Sequence, residues 1–151
     1  MIRFITKPFE ALHNDELYAL LKLRMEVFVV EQNCPYLDTD NKDQQCLHVL
    51  GYDGTELAAC ARLVPAGISY DSPAIGRVAT HAAFRKHGYG RELMNYCIRE
   101  AKHHFHTDMI TISAQQYLEG FYSSLGFKSE GDMYLEDDIP HIKMKYQAVS
   151  V

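Results

Sequence analysis

Arg85-Lys86-His87-Gly88-Tyr89-Gly90-Arg91 is the stretch whose reading decides the fold of this chain. Immediately before it, Ala74 to Thr80 reads as a strand. After it, from Gly90 onward, Leu93, Met94, Cys97, Ile98 and Ala101 recur on one face of an amphipathic helix. A glycine loop between a strand and a helix start offers unpaired backbone N–H groups and the positive end of the helix dipole, a setting that favours an anion. Gly88 and Gly90 let the backbone come close, and Arg85, Lys86 and Arg91 add charge suited to a pyrophosphate or terminal phosphate. Taken alone, a glycine pair is equally an ordinary tight turn. The spacing fits neither a Walker loop, which needs Gly-Lys followed by Ser or Thr, nor the three-glycine dinucleotide fingerprint. A different nucleotide-bearing cofactor is implied.

Working outward, Asn14 or Asp15 is placed to cap a helix whose Leu17, Leu20, Leu21, Arg24, Val27 and Phe28 share a face. Pro35 and the polar run from Asp38 to Gln45 read as a loop. Leu47 to Tyr52 and Glu56 to Val64 read as a hairpin turned by Asp53-Gly54. Downstream, Met109 to Ala114 reads as a strand, followed by a helix through Leu118, Phe121, Tyr122 and Leu125 that Gly126 stops. Strands around Lys128 to Met133 and His141 to Tyr146 close the chain. Helices and strands alternate in the middle with hairpins on either side, which predicts a mixed α/β fold.

The 151 residues, 47% hydrophobic and 23% charged, suffice for one sizeable core, so residues 1–151 are read as a single domain. A net charge of -5 disfavours nucleic acid as a partner. No apolar run approaches the roughly 20 residues of a membrane span, and the opening residues lack a signal peptide's apolar core, so a cytoplasmic protein away from membranes is expected. Cys34, Cys46, Cys60 and Cys97 are scattered without zinc-ligand spacing. The run Asp38-Thr39-Asp40-Asn41-Lys42-Asp43 lacks the turn glycine and bidentate Glu of a calcium loop, and His103, His104 and His106 only crowd a helix end. No metal is expected. The acidic run reads instead as a solvated loop or as an attractor of cationic acceptors.

Three groups of residues together carry a resemblance. Arg85-x-x-Gly88-x-Gly90 is similar to the pyrophosphate loop of the GNAT N-acetyltransferases, Ile75-Gly76-Arg77-Val78 to the strand before it, and Tyr122-Ser123-Ser124-Leu125-Gly126-Phe127 to the family's Tyr-x-x-x-Gly-Phe segment. Val27 to Tyr36, Ser113-Ala114-Gln115 and Tyr134 to His141 further resemble the ElaA-like members, over about residue 17 to Met144. Asp138 stands where that subfamily usually has Gly, a position at which Asp tolerates a left-handed backbone.

The resemblance implies a central twisted sheet of six or seven strands flanked by about four helices, with acetyl-CoA as co-substrate. It places backbone groups of Val78, Ala79 and Thr80 on the pantetheine arm and thioester carbonyl. Amides around Lys86, His87, Gly88, Tyr89, Gly90 and Arg91 then take the pyrophosphate, with charge from Arg85. Gln115 is a candidate for orienting pantetheine, or alternatively makes a plain edge-strand hydrogen bond. Tyr122 matches the acid that protonates the departing thiolate, against the plain reading of a packed core tyrosine with a bonded hydroxyl. A primary amine of pKa ~10 must lose a proton before attack, for which Glu31 leads, followed by His81 and the loop from Glu136 to His141. The acceptor is expected to be a small-molecule or peptide amine, and the protein a monomer or homodimer. Two other readings stay open: a non-catalytic acetyl-CoA or CoA sensor, and an acyl-homoserine-lactone-synthase-like enzyme, whose characteristic tryptophans this chain lacks.

Overall fold

The computed structural model describes residues 1–148. Strands β1 (Ile2–Pro8), β2 (Leu47–Asp53), β3 (Glu56–Val64), β4 (Ala74–Thr80), β5 (Met109–Gln115), β6 (Phe127–Glu136) and β7 (Ile139–Gln147) form one sheet in the order β1-β2-β3-β4-β5-β7-β6. Every neighbouring pair is antiparallel except β4 and β5. The mixed α/β sheet is therefore as expected. Six strands were legible, and the seventh, β1, is an edge strand whose Pro8 ends the pairing opposite Leu47.

β3 is buried almost throughout because both faces of the sheet are covered. Its alternation sorts the core. Ala59, Ala61 and Leu63 meet Leu93, Met94, Cys97 and Ile98 of α2 (Tyr89–Phe105), whereas Cys60 joins Leu20 and Leu23 of α1 (Asn14–Met25) on the other face. Tyr122 of α3 (Glu119–Ser124) belongs to the cluster on the α2 side. Where about four helices were anticipated, three α-helices occur among the described residues, together with a π-type stretch after α1 and single 3₁₀ turns such as Ala82–Phe84 and Gln116–Leu118.

Helix ends differ in detail from the sequence reading. The residue capping α1 is His13, and the Glu16 carboxylate accepts its N–H at 2.8 Å. Past Met25 the helix widens into π-type turns over Glu26–Glu31, a form found often at functional sites. After α3, Gly126 sits at φ +104°, and a Cβ there would lie 3.1 Å from the Tyr146 ring, so glycine is required by both backbone and space. Asp137 and Asp138, at φ +50° and +62°, form the two-residue turn joining β6 to β7. Asp138 thus adopts the left-handed backbone expected of it. Among the described residues, no helix is long and apolar enough to cross a membrane.

Candidate active site

The site begins with a defect in the sheet. β4 and β5 pair only at Ala74 and Thr111, with the Thr111 N–H also donating to the Pro73 carbonyl at 2.9 Å. Beyond that point the two strands part. β4 is moreover bulged: Arg62 faces Gly76 and Cys60 faces Ala79, so Arg77 and Val78 together oppose Ala61 alone, and Arg77 takes φ +48°. A cavity of about 670 Å³ opens in this wedge. Its walls include Val78, Ala79 and Thr80 from β4, Ser113 and Gln115 from β5, Tyr122 from α3, and Val27, Phe28 and Glu31 from the π-type turns.

The glycine loop closes one end. Gly88 has φ +77° and Lys86 φ +71°, and α2 starts at Tyr89. Glu92 is the first residue to bond back, to the Gly88 carbonyl at 3.2 Å, so the amides of Tyr89, Gly90 and Arg91 precede any helical partner. Arg85, Lys86, Gly88, Tyr89, Gly90 and Arg91 all line the cavity, while His87 stacks on Tyr89 and does not. The side chains divide. Lys86 is exposed and has no ion-pair partner among the described residues, and Arg91 lies over the Phe121 ring and donates to Ser124 Oγ at 2.9 Å. The Tyr89 hydroxyl donates to Asp53 Oδ2 at 2.5 Å.

Arg85 departs from its expected role. Both Glu31 oxygens accept from its guanidinium, one at 2.8 Å, and its Nε and Nη2 donate to the Thr80 carbonyl at 3.2 and 3.1 Å. The charge assigned to a phosphate is already engaged. The same pairing weakens Glu31 as a base, because the hydrogen bonds from Arg85 hold its carboxyl below the ordinary range.

Tyr122 is 7% exposed, edge-on to Phe121 and Phe127 at 5.1 and 5.9 Å. Its ring is core, as the plain reading required. Its hydroxyl, however, has no hydrogen-bond partner among the described residues. Burial pushes the phenol up to about 12, so it stays protonated and able to donate.

The far end gathers Glu136 and His141 with residues not singled out individually from the sequence. Ser113 Oγ hydrogen-bonds the Tyr134 hydroxyl and donates to Glu136 Oε1 at 3.3 Å. His141 Nε2 lies 3.4 Å from Glu136 Oε2. Gln115 donates to Gln32 Oε1 at 3.3 Å, and its strand is interior, between β4 and β7, not an edge. His81 is absent from the cavity wall: its Nδ1 accepts the Ala83 N–H at 3.0 Å and its Nε2 approaches Glu26 at 3.6 Å. It caps a 3₁₀ turn and does not face an acceptor.

The acidic run is the clearest correction. Asp38 and Asp43 are 4% and 5% exposed, not solvated. Arg24 donates to Asp38 Oδ2 at 2.8 Å and Asp43 Oδ1 at 2.9 Å. Arg62 donates to Asp40 at 2.8 and 2.6 Å and to Asp43 at 2.9 Å. Arg77 Nε lies 2.9 Å from Asp38 Oδ1, and Tyr36 both donates to Asp38 and faces the Arg77 guanidinium with its ring. Three arginines and three aspartates thus tie α1, β3 and the β4 bulge to one loop. The signal for it was an arginine within each of three apolar segments, since a buried guanidinium must find a carboxylate. Among the described residues no three His, Cys, Asp or Glu side chains gather as a metal site, and all four cysteines are unpaired thiols.

Comparison with known proteins follows the same outline. Residues 20–148 match the acetyltransferase (GNAT) domain family. Protein ElaA of Escherichia coli is 39% identical over 148 residues, 93% of this chain and 97% of that protein, and its crystal structure superposes with a TM-score of 0.91. An acyl-CoA N-acyltransferase from Pseudomonas aeruginosa is 37% identical, covering 97% of this chain and 99% of that one, with a TM-score of 0.91. A GNAT family acetyltransferase from Elizabethkingia anophelis, solved with acetyl-CoA bound, shares the fold at 15% identity, covering 97% and 98% of the two chains with a TM-score of 0.66.

Proposed function

The chain belongs to the acetyltransferase (GNAT) family, and from that premise we propose that residues 1–151 form one N-acetyltransferase domain that passes the acetyl group of acetyl-CoA directly to a primary amine. The observation that carries this reading is the wedge: free amides at the start of α2 and the stretch of β4 unpaired with β5 open onto one cavity that Tyr122 also lines.

The pyrophosphate of acetyl-CoA is held by the amides of Gly88, Tyr89, Gly90 and Arg91, with Lys86 and Arg91 adding charge. The pantetheine arm runs between β4 and β5 as a strand substitute, toward Val78, Ala79 and Thr80 on one side and Gln115 on the other. Binding both reactants in one wedge makes attack intramolecular in effect. The amine nitrogen adds to the thioester carbonyl, the C–S bond breaks, and Tyr122 protonates the sulfur. The acceptor is a small-molecule or peptide amine, met by a monomer or a homodimer.

Calorimetry with acetyl-CoA, followed by thiol release over a panel of primary amines, tests the reading. We expect saturable binding, turnover with at least one amine, and a kcat about 10²–10⁴ lower in Tyr122→Phe with acetyl-CoA affinity retained. Binding with no turnover across the panel identifies a sensor instead. Failure of both acetyl-CoA and CoA to bind ends the assignment.

A further inference from the structure

Resting on the acetyl-transfer reading, the geometry points to His141 as the base that deprotonates the acceptor amine. His141 is 6% exposed, yet it lines the cavity. Its Nδ1 lies 2.7 Å from the Ile139 carbonyl. A carbonyl only accepts, so that nitrogen carries the hydrogen and the neutral ring keeps its lone pair on Nε2. Nε2 makes no hydrogen bond among the described residues. The carboxylate of Glu136, 3.4 Å away, stands ready as counter-charge once Nε2 has taken a proton.

The alternatives are each occupied or misplaced. Glu31 is neutralised by Arg85 through both oxygens, and His81 caps a turn outside the cavity. Asp40 is paired with Arg62. The groups around His141 are few: Glu136 and the stacked Tyr134 ring from β6, and neutral Gln115 opposite it on β5. The other charges lining the cavity are the Glu31–Arg85 pair, Arg77, whose partner Asp38 lies behind the wall, Asp137, and Lys86 and Arg91 at the cofactor end. Glu136 also borders an adjoining cavity of about 350 Å³, which shares Arg77, Ser113 and Asp137 with the first.

The proton balance closes. One proton of the ammonium passes to His141 Nε2 and from there to solvent. The neutral amine then forms the C–N bond as the C–S bond breaks. The second amine proton replaces the one that Tyr122 gives to the thiolate.

Two experiments on the full chain test this. Long-range ¹⁵N–¹H spectra of the unsubstituted protein above pH 8, with His141 assigned against H141Q, should show a hydrogen on Nδ1 and a bare Nε2. A ring protonated at Nε2 overturns the proposal. Thiol release with acetyl-CoA and whichever of spermidine, phenethylamine or a free-N-terminus tripeptide turns over should then drop by about 10²–10³ in kcat at neutral pH in H141Q, and the deficit should narrow as pH rises toward the amine's own pKa of ~10. Glu136→Gln should lower kcat less and leave the KM for acetyl-CoA unchanged. An H141Q kcat within a few-fold of the unsubstituted protein at neutral pH, or a deficit that does not narrow with rising pH, also overturns the proposal. Failure of the underlying acetyl-transfer reading is separable, because it shows in calorimetry as absent acetyl-CoA binding.

Discussion

Two loops border the wedge, and each carries a run of charge with an opposite fate. Between Tyr36 and Asp43, every carboxylate meets an arginine brought by another element, and Asp38 and Asp43 are withdrawn from water. Between Arg85 and Arg91, the amides of Tyr89, Gly90 and Arg91 and the Lys86 side chain are left without partners among the described residues, while the Arg85 side chain is tied to Glu31 and that of Arg91 to Ser124. The first loop uses its charges up to hold a strained bulge at Arg77. The second leaves donors unspent. Similar residue types are consumed by one another in one place and left open in the other, and the difference lies in what the sheet places opposite them.

The sharpest way to break this contrast is Asp43→Ala, which strips the shared partner from Arg24 and Arg62. Removing one member of a buried ion cluster costs about 3–5 kcal/mol, so urea denaturation should show a large loss of stability. A change within about 0.5 kcal/mol would mean that the loop is solvated after all.

Gly88→Asp should lower acetyl-CoA affinity at least about tenfold by calorimetry, roughly 1.4 kcal/mol, by setting a carboxylate beside the pyrophosphate. Gly88→Asn keeps a residue tolerant of the left-handed backbone without the charge and should lose less. Equal losses in the two would reduce the glycine's role to backbone shape.

The smallest expected effect is in acid. Burial alone would raise the Asp40 and Asp43 carboxyls, but hydrogen bonds from Arg62 to Asp40, and from Arg24 and then Arg62 to Asp43, hold both below the usual range. Groups whose folded pKa is depressed contribute stability that is complete above the unfolded value near ~4 and is lost as pH falls toward the folded one. The urea midpoint should therefore be flat near neutrality and drop below about pH 4. Asp43→Asn should be less stable at pH 6 and should show a shallower drop. An identical acid slope in the two proteins would remove Asp43 from that dependence.

Much of this was legible locally. The hairpin turned at Gly54, the α2 face from Leu93 to Ala101, and the glycine loop each rest on residues near one another in the chain, where period and backbone preference act directly. What escaped depended on distant partners. Arg85 read as a phosphate ligand because Glu31, 54 residues away, was not visible as its partner. His81 read as an acceptor residue because Glu26, far back in the chain, was not visible beside its ring.

By itself the sequence determined the order of the main elements after β1, the glycine loop between strand and helix, and the turns at Gly88, Gly126 and Asp138, because these follow from backbone energetics within a few residues. Only the tertiary structure decided where β4 and β5 part, that Arg77 bulges there, and which charges are consumed by one another. Strand pairing and buried ion pairs join residues tens of positions apart, and their outcome depends on which groups lose water together, which no local pattern encodes.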